Sequence, residues 1–224
     1  GLRAINEYGV DTVILDDGLQ QWRLKKDLEI VTVSTSQGLG NRHMLPRGIL
    51  REPLSSLKRA DIFVLTKTNL AGDANNIKTT LNKINPRALI VESIHRGLGF
   101  YDIKKPVELL NPGYLKDKAV VLVSGIGDPD SFADLIVSLG VRVGLDLRFS
   151  DHHNYTLLDL EGIAVKAGHK NLGIIVTTEK DAVRLSDCPL KILEAYQVLV
   201  LRIALEITKN EKEFFARLLS LYSL

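Results

Sequence analysis

Four short stretches of this 224-residue chain hold side chains whose types and spacing can do chemistry. The first is Asp11-Thr12-Val13-Ile14-Leu15-Asp16-Asp17-Gly18. Its apolar run reads as a buried strand that delivers Asp16 to a carboxyl end, where ligands bind in open α/β sheets. A carboxylate there can hold the Mg²⁺ of a nucleotide, directly or through water. Asp17 can share the metal or orient a nucleophile; the competing reading is two acids in a turn before Gly18. The second is Asp151-His152-His153, where a histidine beside carboxylates can tune a general base or take a proton itself. Its plain alternative is a solvated polar loop.

The third stretch is Thr177-Thr178-Glu179-Lys180-Asp181. It reads as a helix start with acids at the positive end of the dipole, and Lys180 is its candidate ligand-binding side chain. The fourth, Gly125-Ile126-Gly127-Asp128, opens like a dinucleotide fingerprint but lacks the third glycine, so a tight turn into a capped helix accounts for it. Nowhere in the chain is there a G-x-x-x-x-G-K-[S/T] run to cradle nucleotide phosphates. Adjacent histidines also suggest zinc, but no second pair of ligands stands at suitable spacing.

The elements that must position these groups follow from periodicity. Short apolar runs alternate with helical patterns, the signature of βα units in a largely parallel sheet. Strands are predicted at residues 13–15, 29–33, 62–65, 88–91, 119–123, 141–147, 173–176 and 197–201. Helical spacing covers 54–60, 75–84 and 157–167, and a further helix starts near Asp128-Pro129, a good cap followed by a good first residue. Residues 42–53 read as an irregular loop. The periodicity weakens over 101–118, which places a boundary there and divides the chain into 1–105 and 106–224. The tail, 211–224, carries Phe214, Phe215, Leu218, Leu221 and Tyr222 on one helical face, expected to pack on the sheet rather than bind lipid.

Composition narrows the classes. Hydrophobic residues make up 45% and charged residues 25%, with a net charge of +2, which is too mild for a nucleic-acid tracker. The basic excess is local: Arg42, His43, Arg47, Arg51, Lys58 and Arg59 stand against Glu52 alone, enough to meet a phosphate or an anionic membrane surface, or simply a solvated loop. A single cysteine, Cys188, excludes an internal disulfide framework. No apolar run is long enough to span a bilayer and no signal peptide is visible. With Gly1 in first place, the start reads as a cut or processed point.

Together the stretches resemble one family. The blocks are Val13-Ile14-Leu15-Asp16-Asp17-Gly18-Leu19-Gln20, Asp27-Leu28-Glu29-Ile30-Val31, Gly40-Asn41, Leu45-Pro46-x-Gly48-x-Leu50-Arg51-Glu52-Pro53-Leu54 and Leu57-Lys58-Arg59-Ala60-Asp61. Further on come Gly125-Ile126-Gly127-x-Pro129-x-x-Phe132, Phe149-x-Asp151-His152-His153-x-Tyr155 and Thr177-Thr178-Glu179-Lys180-Asp181-Ala182-Val183. In that order they resemble the tetraacyldisaccharide 4'-kinases, also called lipid A 4'-kinases. Gln21 departs from the pattern, standing where many members carry histidine.

The resemblance implies an α/β fold of the phosphate-loop-NTPase type: a mostly parallel sheet with helices on both faces, incomplete at its N-terminus, plus a smaller α/β subdomain. It implies ATP and Mg²⁺ as cofactors, an acylated glucosamine disaccharide 1-phosphate as partner, and transfer of the γ-phosphate to its 4'-hydroxyl. A peripheral membrane enzyme is implied, at the cytoplasmic face of the inner membrane in a bacterium or in an organelle of a eukaryote, with no role for nucleic acid. Carried over by position, Asp16 would hold the metal, Asp17 would place metal or nucleophile, and His152 would support the catalytic base. Gln20, Arg51 and Glu52 would face the substrate, Arg51 with a fork suited to phosphate. Without a phosphate-cradling loop, the chain by itself is expected to be inactive. Two other readings stand beside this one: a naturally shortened lipid-saccharide or protein-binding module, and a metal-dependent hydrolase built on Asp16, Asp17, His152 and His153.

Overall fold

A computed structural model describes residues 2–70, 72–186 and 188–222. In chain order the regular elements are α1 (Leu2–Tyr8), β1 (Ile30–Ser34), β2 (Ile62–Thr66), α2 (Ala74–Ile84), β3 (Leu89–Asp102) and β4 (Lys105–Leu110). They continue with β5 (Ala119–Ser124), α3 (Pro129–Ser138), β6 (Arg142–Arg148), α4 (Leu157–His169), β7 (Ile174–Thr178), α5 (Glu179–Ser186), β8 (Gln197–Lys209) and α6 (Glu211–Leu219). The chain folds as two compact units that interleave in sequence: residues 1–65, 73–92 and 209–224 form one, and 66–72 with 93–208 the other. The sequence division after residue 105 falls inside the second unit, where β4 begins.

In the first unit the strand order is β1-β2-β3. β2 and β3 run parallel, with Ile62 opposite Leu89 and Leu65 opposite Glu92. Phe63 and Leu65 are fully buried against Ile77 and Leu81 of α2, and Leu57 closes the same core from a 3₁₀ turn, Leu54–Arg59. Asp73 caps α2 by accepting from the Asn76 amide at 3.0 Å. Asn85 ends it and donates from Nδ2 to the Ala60 carbonyl at 2.8 Å, which ties the helix exit to the start of β2.

In the second unit the order is β3-β8-β7-β5-β6, with β4 antiparallel on β3. The pairs β5–β6, β5–β7 and β7–β8 are parallel. β5 shows why: Val120 and Leu122 pack with Phe132, Leu135 and Ile136 of α3. Val121 and Val123 pack with Leu160, Ile163 and Ala167 of α4 in a separate core. A strand buried on both faces needs an uninterrupted apolar run and helices on both sides, and Ala119-Val120-Val121-Leu122-Val123 supplies it. Asp128 caps α3, accepting from the Ser131 amide at 3.2 Å. Thr156 and Asp159 form a reciprocal capping box at the start of α4.

Three expectations change. Residues 13–15 are not a buried strand: Ile14 is 91% exposed and the run has no strand partner among the described residues. An apolar run becomes a strand only when a neighbour satisfies its backbone groups. β3 and β8 both run well beyond the predicted 88–91 and 197–201. Finally, α6 buries none of its residues fully, and Arg217 anchors it by donating to the Asp61 carbonyl at 3.2 Å. No helix among the described residues is long and apolar enough to cross a membrane.

Candidate functional site

The acidic residues of the first unit sit on a tight turn. Asp17 adopts a left-handed conformation, φ 52° and ψ 36°, before a 3₁₀ turn at Gly18–Gln20. Asp tolerates that region better than most residues because its short side chain bonds locally, and here the Asp17 amide donates to Asp16 Oδ1 at 3.0 Å. Lys26 holds the turn from below, donating to the Gly18 carbonyl at 2.7 Å and pairing with Glu29. Both aspartates are exposed.

The loop after β1 is braced to meet them. Asn41 donates from Nδ2 to the Arg47 carbonyl at 2.7 Å, and its Oδ1 accepts from the His43 amide at 3.1 Å. Gly48 completes this fold-back, because a Cβ there would lie 2.1 Å from Asn41 Oδ1 and 2.2 Å from the His43 carbonyl oxygen. The Gly-Asn and Pro-x-Gly pieces of the motif thus have a mechanical reason for occurring together. The fold-back delivers Arg51, whose Nη1 donates to Asp17 Oδ2 at 2.7 Å. Glu52 pairs with Arg59 at 2.6 Å, and the same Arg59 nitrogen donates to the Leu19 carbonyl at 2.9 Å. The hydrogen bonds from Arg59 and Ser56 hold the Glu52 carboxyl below the usual carboxylate range. Gln20 lies half-buried on the 3₁₀ turn. Asp16, Asp17, Gln20, Arg51 and Glu52 are therefore all part of one folded unit.

His152 belongs to the second unit, in the loop after β6. Its backbone is also left-handed, φ 59°, and its amide donates to the Gly125 carbonyl at 3.1 Å. The two adjacent histidines separate into different roles. His153 stacks on Phe149 with centroids 4.7 Å apart, and its Nε2 lies 3.0 Å from Asp159 Oδ2, so it is part of the α4 cap. Burial raises the Asp159 pKa, and the hydrogen bonds from Thr156 and His153 outweigh it, leaving a net lowering. The His152 side chain instead is 79% exposed.

Behind His152 lies the Thr178–Asp181 motif. Asp181 is completely buried; it accepts from the Gly125 amide at 3.1 Å and from the Thr178 hydroxyl at 2.7 Å. Its own amide donates to Thr178 Oγ1 at 3.1 Å, so the motif starts α5 as a cap. Lys180 is exposed on that helix. The Gly125 turn is tight: a Cβ would sit 3.1 Å from Asp181 Oδ1 and 3.2 Å from the Ser150 carbonyl oxygen, so a side chain there would push its neighbours aside by a few tenths of an ångström. Burial and the neighbouring Asp181 charge push the Tyr155 hydroxyl far up. Sequence reasoning passed over Lys26 and Arg184, and saw Arg59 only as part of a basic excess and a motif block.

The donor set suits magnesium rather than a protein-caged metal. Among the described residues no three His, Cys, Asp or Glu side chains stand together. Mg²⁺ needs only one or two carboxylates, completing its shell with water and phosphate oxygens, and an exposed Asp16 beside Asp17 meets that requirement.

Residues 1–223 match the model of the family described as tetraacyldisaccharide-1-P 4'-kinase, LpxK. A tetraacyldisaccharide 4'-kinase of Halothermothrix orenii is 34% identical over 98% of this chain and 60% of its own length. A protein of Arabidopsis thaliana named "Probable tetraacyldisaccharide 4'-kinase, mitochondrial" is 36% identical over 89% of this chain and 52% of its own. The chain thus spans about half to three fifths of the curated relatives it matches. Among solved structures, LpxK from Aquifex aeolicus in complex with ATP superposes with a TM-score of 0.60 over 96% of this chain and 60% of that one, at 23% identity. That likeness gives the fold, a phosphate-loop-NTPase type with a mostly parallel sheet. The chain belongs to the tetraacyldisaccharide 4'-kinase family.

Proposed function

We propose that this chain serves in ATP-dependent phosphorylation of the 4'-hydroxyl of tetraacyldisaccharide 1-phosphate. The observation that carries the reading is the Arg51–Asp17 contact at 2.7 Å, with Asp16 exposed next to it, in a chain of this family. Phosphoryl transfer asks for positioned charge more than for covalent chemistry. Asp16 would hold Mg²⁺, whose contribution when bound is to neutralise charge building on the phosphate oxygens. Asp17 keeps Arg51 in place until an anion competes for the guanidinium. Arg51 can then offer two parallel donors to a phosphate or carboxylate. Glu52, next to Arg51 in the chain, is held ionised by Arg59. Gln20, on the turn that Arg59 clamps, faces the sugar in this reading.

His152 supports the base rather than acting as a metal ligand. The disaccharide lipid and a membrane surface are the proposed partners. Met44, Leu45 and Ile49, at 48%, 65% and 59% exposure, alternate with Arg42, His43 and Arg47 and suit an anionic lipid interface. The proposed location is the cytoplasmic face of a bacterial inner membrane, or an organelle in a eukaryote. The 224 residues contain no G-x-x-x-x-G-K-[S/T] run, so we expect them alone to give no turnover. Isothermal titration of the chain with MgATP and with disaccharide 1-phosphate tests the assignments. The lipid phosphate should bind, and Arg51→Ala should weaken it at least about tenfold. Equal affinity in the variant would refute the assignment of Arg51.

A further inference from the structure

Arg184, on α5, reaches His152 from behind: its Nη2 lies 3.0 Å from His152 Nδ1. A guanidinium has five donors and no acceptor. Nδ1 must therefore accept, and the ring proton resides on Nε2. Arg184 is itself held by the Gly125 carbonyl at 3.3 Å and by the buried Asp181 carboxylate at 3.5 Å. Asp181 is fixed in turn by Thr178 and the Gly125 amide. The His152 backbone amide bonds to that same Gly125 carbonyl. Backbone and ring are thus both referred to one rigid turn.

We infer that Arg184 is a positioning residue that locks His152 in the Nε2–H tautomer, so that His152 serves as a hydrogen-bond donor to an anionic group and not as the proton acceptor. The inference deepens the kinase reading and rests on it for what the donor meets. The ring's outer nitrogen is available for that partner. Asp151 Oδ2, the nearby carboxylate, stands 3.8 Å from Nε2, beyond hydrogen-bond range, while Asp151 Oδ1 is engaged by the His152 amide at 3.0 Å. A donor at Nε2 can bind a carboxylate that accepts the substrate proton, or a phosphate oxygen. This gives the Thr-Thr-Glu-Lys-Asp motif a task beyond capping α5: it places the side chain one turn on, Arg184, against the histidine.

Two measurements test this. In the histidine-¹⁵N-labelled chain, long-range ¹H–¹⁵N correlation should show His152 protonated on Nε2, with Nδ1 at the position of a hydrogen-bonded acceptor. His152→Gln identifies the signals. In Arg184→Met the Nδ1 resonance should move towards that of a free acceptor, and in Arg184→Lys it should stay near the native position. A proton on Nδ1 in the native chain, or an Nδ1 resonance unmoved in Arg184→Met, overturns the inference. This arm needs no activity, so it decides even if the kinase reading fails, and the native-chain tautomer decides even if the variant does not fold. In the product of the full reading frame, Arg184→Met should lower kcat about tenfold, the size of one charged hydrogen bond, with KM little changed. The same change made in a His152→Ala background should have no further effect. Equal losses in both backgrounds would show that Arg184 does not act through His152.

Discussion

Arg51 reaches back across the loop to place its Nη1 2.7 Å from Asp17 Oδ2. The two side chains are 63% and 72% exposed, so the pair contributes at most about 1 kcal/mol to folding. Its value lies in holding a guanidinium beside two carboxylates at a turn.

Arg51→Ala should therefore leave the urea midpoint of the chain almost unchanged. In the product of the full reading frame it should lower kcat/KM for disaccharide phosphorylation by about 100-fold, the cost of one positioned donor at developing charge. Arg51→Lys should recover only part, because a point charge cannot replace the fork. Steady-state kinetics paired with denaturation curves separates the two effects.

Gly48 tests the loop that delivers Arg51. Its added Cβ would meet the His43 carbonyl oxygen at 2.2 Å, and backbone cannot swing aside as a long side chain can. Gly48→Ala should cost about 1–3 kcal/mol, seen as a lowered melting temperature. It should also open residues 41–50 to proteolysis. An unaltered cleavage pattern would contradict the fold-back described for Asn41 and Gly48.

Asp181 is the buried charge of the second unit. Removing it leaves Arg184 without its carboxylate and the Gly125 amide without an acceptor. Asp181→Ala should destabilise by about 3–5 kcal/mol, as expected for a broken buried pair. Thr178→Val, which removes one hydroxyl, should cost about 1–2 kcal/mol. Urea unfolding of the chain measures both.

The pH dependence has two windows. Burial lowers the pKa of His95, with the Lys67 charge acting the same way and Asp128 opposing. A folded-state pKa below the unfolded value means that the unfolded chain binds the proton first. This contribution to stability is complete above about pH 6.5 and is lost as pH falls through the folded pKa. Glu52 and Asp159 are lowered as well, so their contributions vanish below the ordinary carboxylate range near about pH 4.3. His95→Gln should flatten the stability profile between about pH 7 and 5, and Glu52→Gln should flatten only the more acidic limb. Chemical denaturation across pH distinguishes them.

Much of the frame was legible because burial imposes pattern. The run at 119–123 has helices on both faces and reads as continuous apolar sequence, the Asp128-Pro129 start announces α3, and helical spacing marks α4. The run at 13–15 is likewise apolar but has no partner strand among the described residues, a fact that lies outside the run itself. The second half of β8, residues 202–209, is broken up by Arg202, Glu206 and Lys209 and is only partly buried, so it lacks the continuous apolar run of the first half. Asp16, Asp17, Arg51 and His152 could be singled out as candidates from type and motif alone. Arg184 could not, because a lone arginine on a helix face has no signature until the fold brings His152 to it.

The most direct test of the central claim is transfer of radiolabelled γ-phosphate from MgATP to tetraacyldisaccharide 1-phosphate by the product of the full reading frame that contains these residues. The account predicts a bisphosphorylated lipid carrying label at the 4' position, reduced at least about 100-fold in Asp16→Asn and in Asp17→Asn. A folded native protein that transfers no label, or two variants that transfer it at the native rate, would contradict the account.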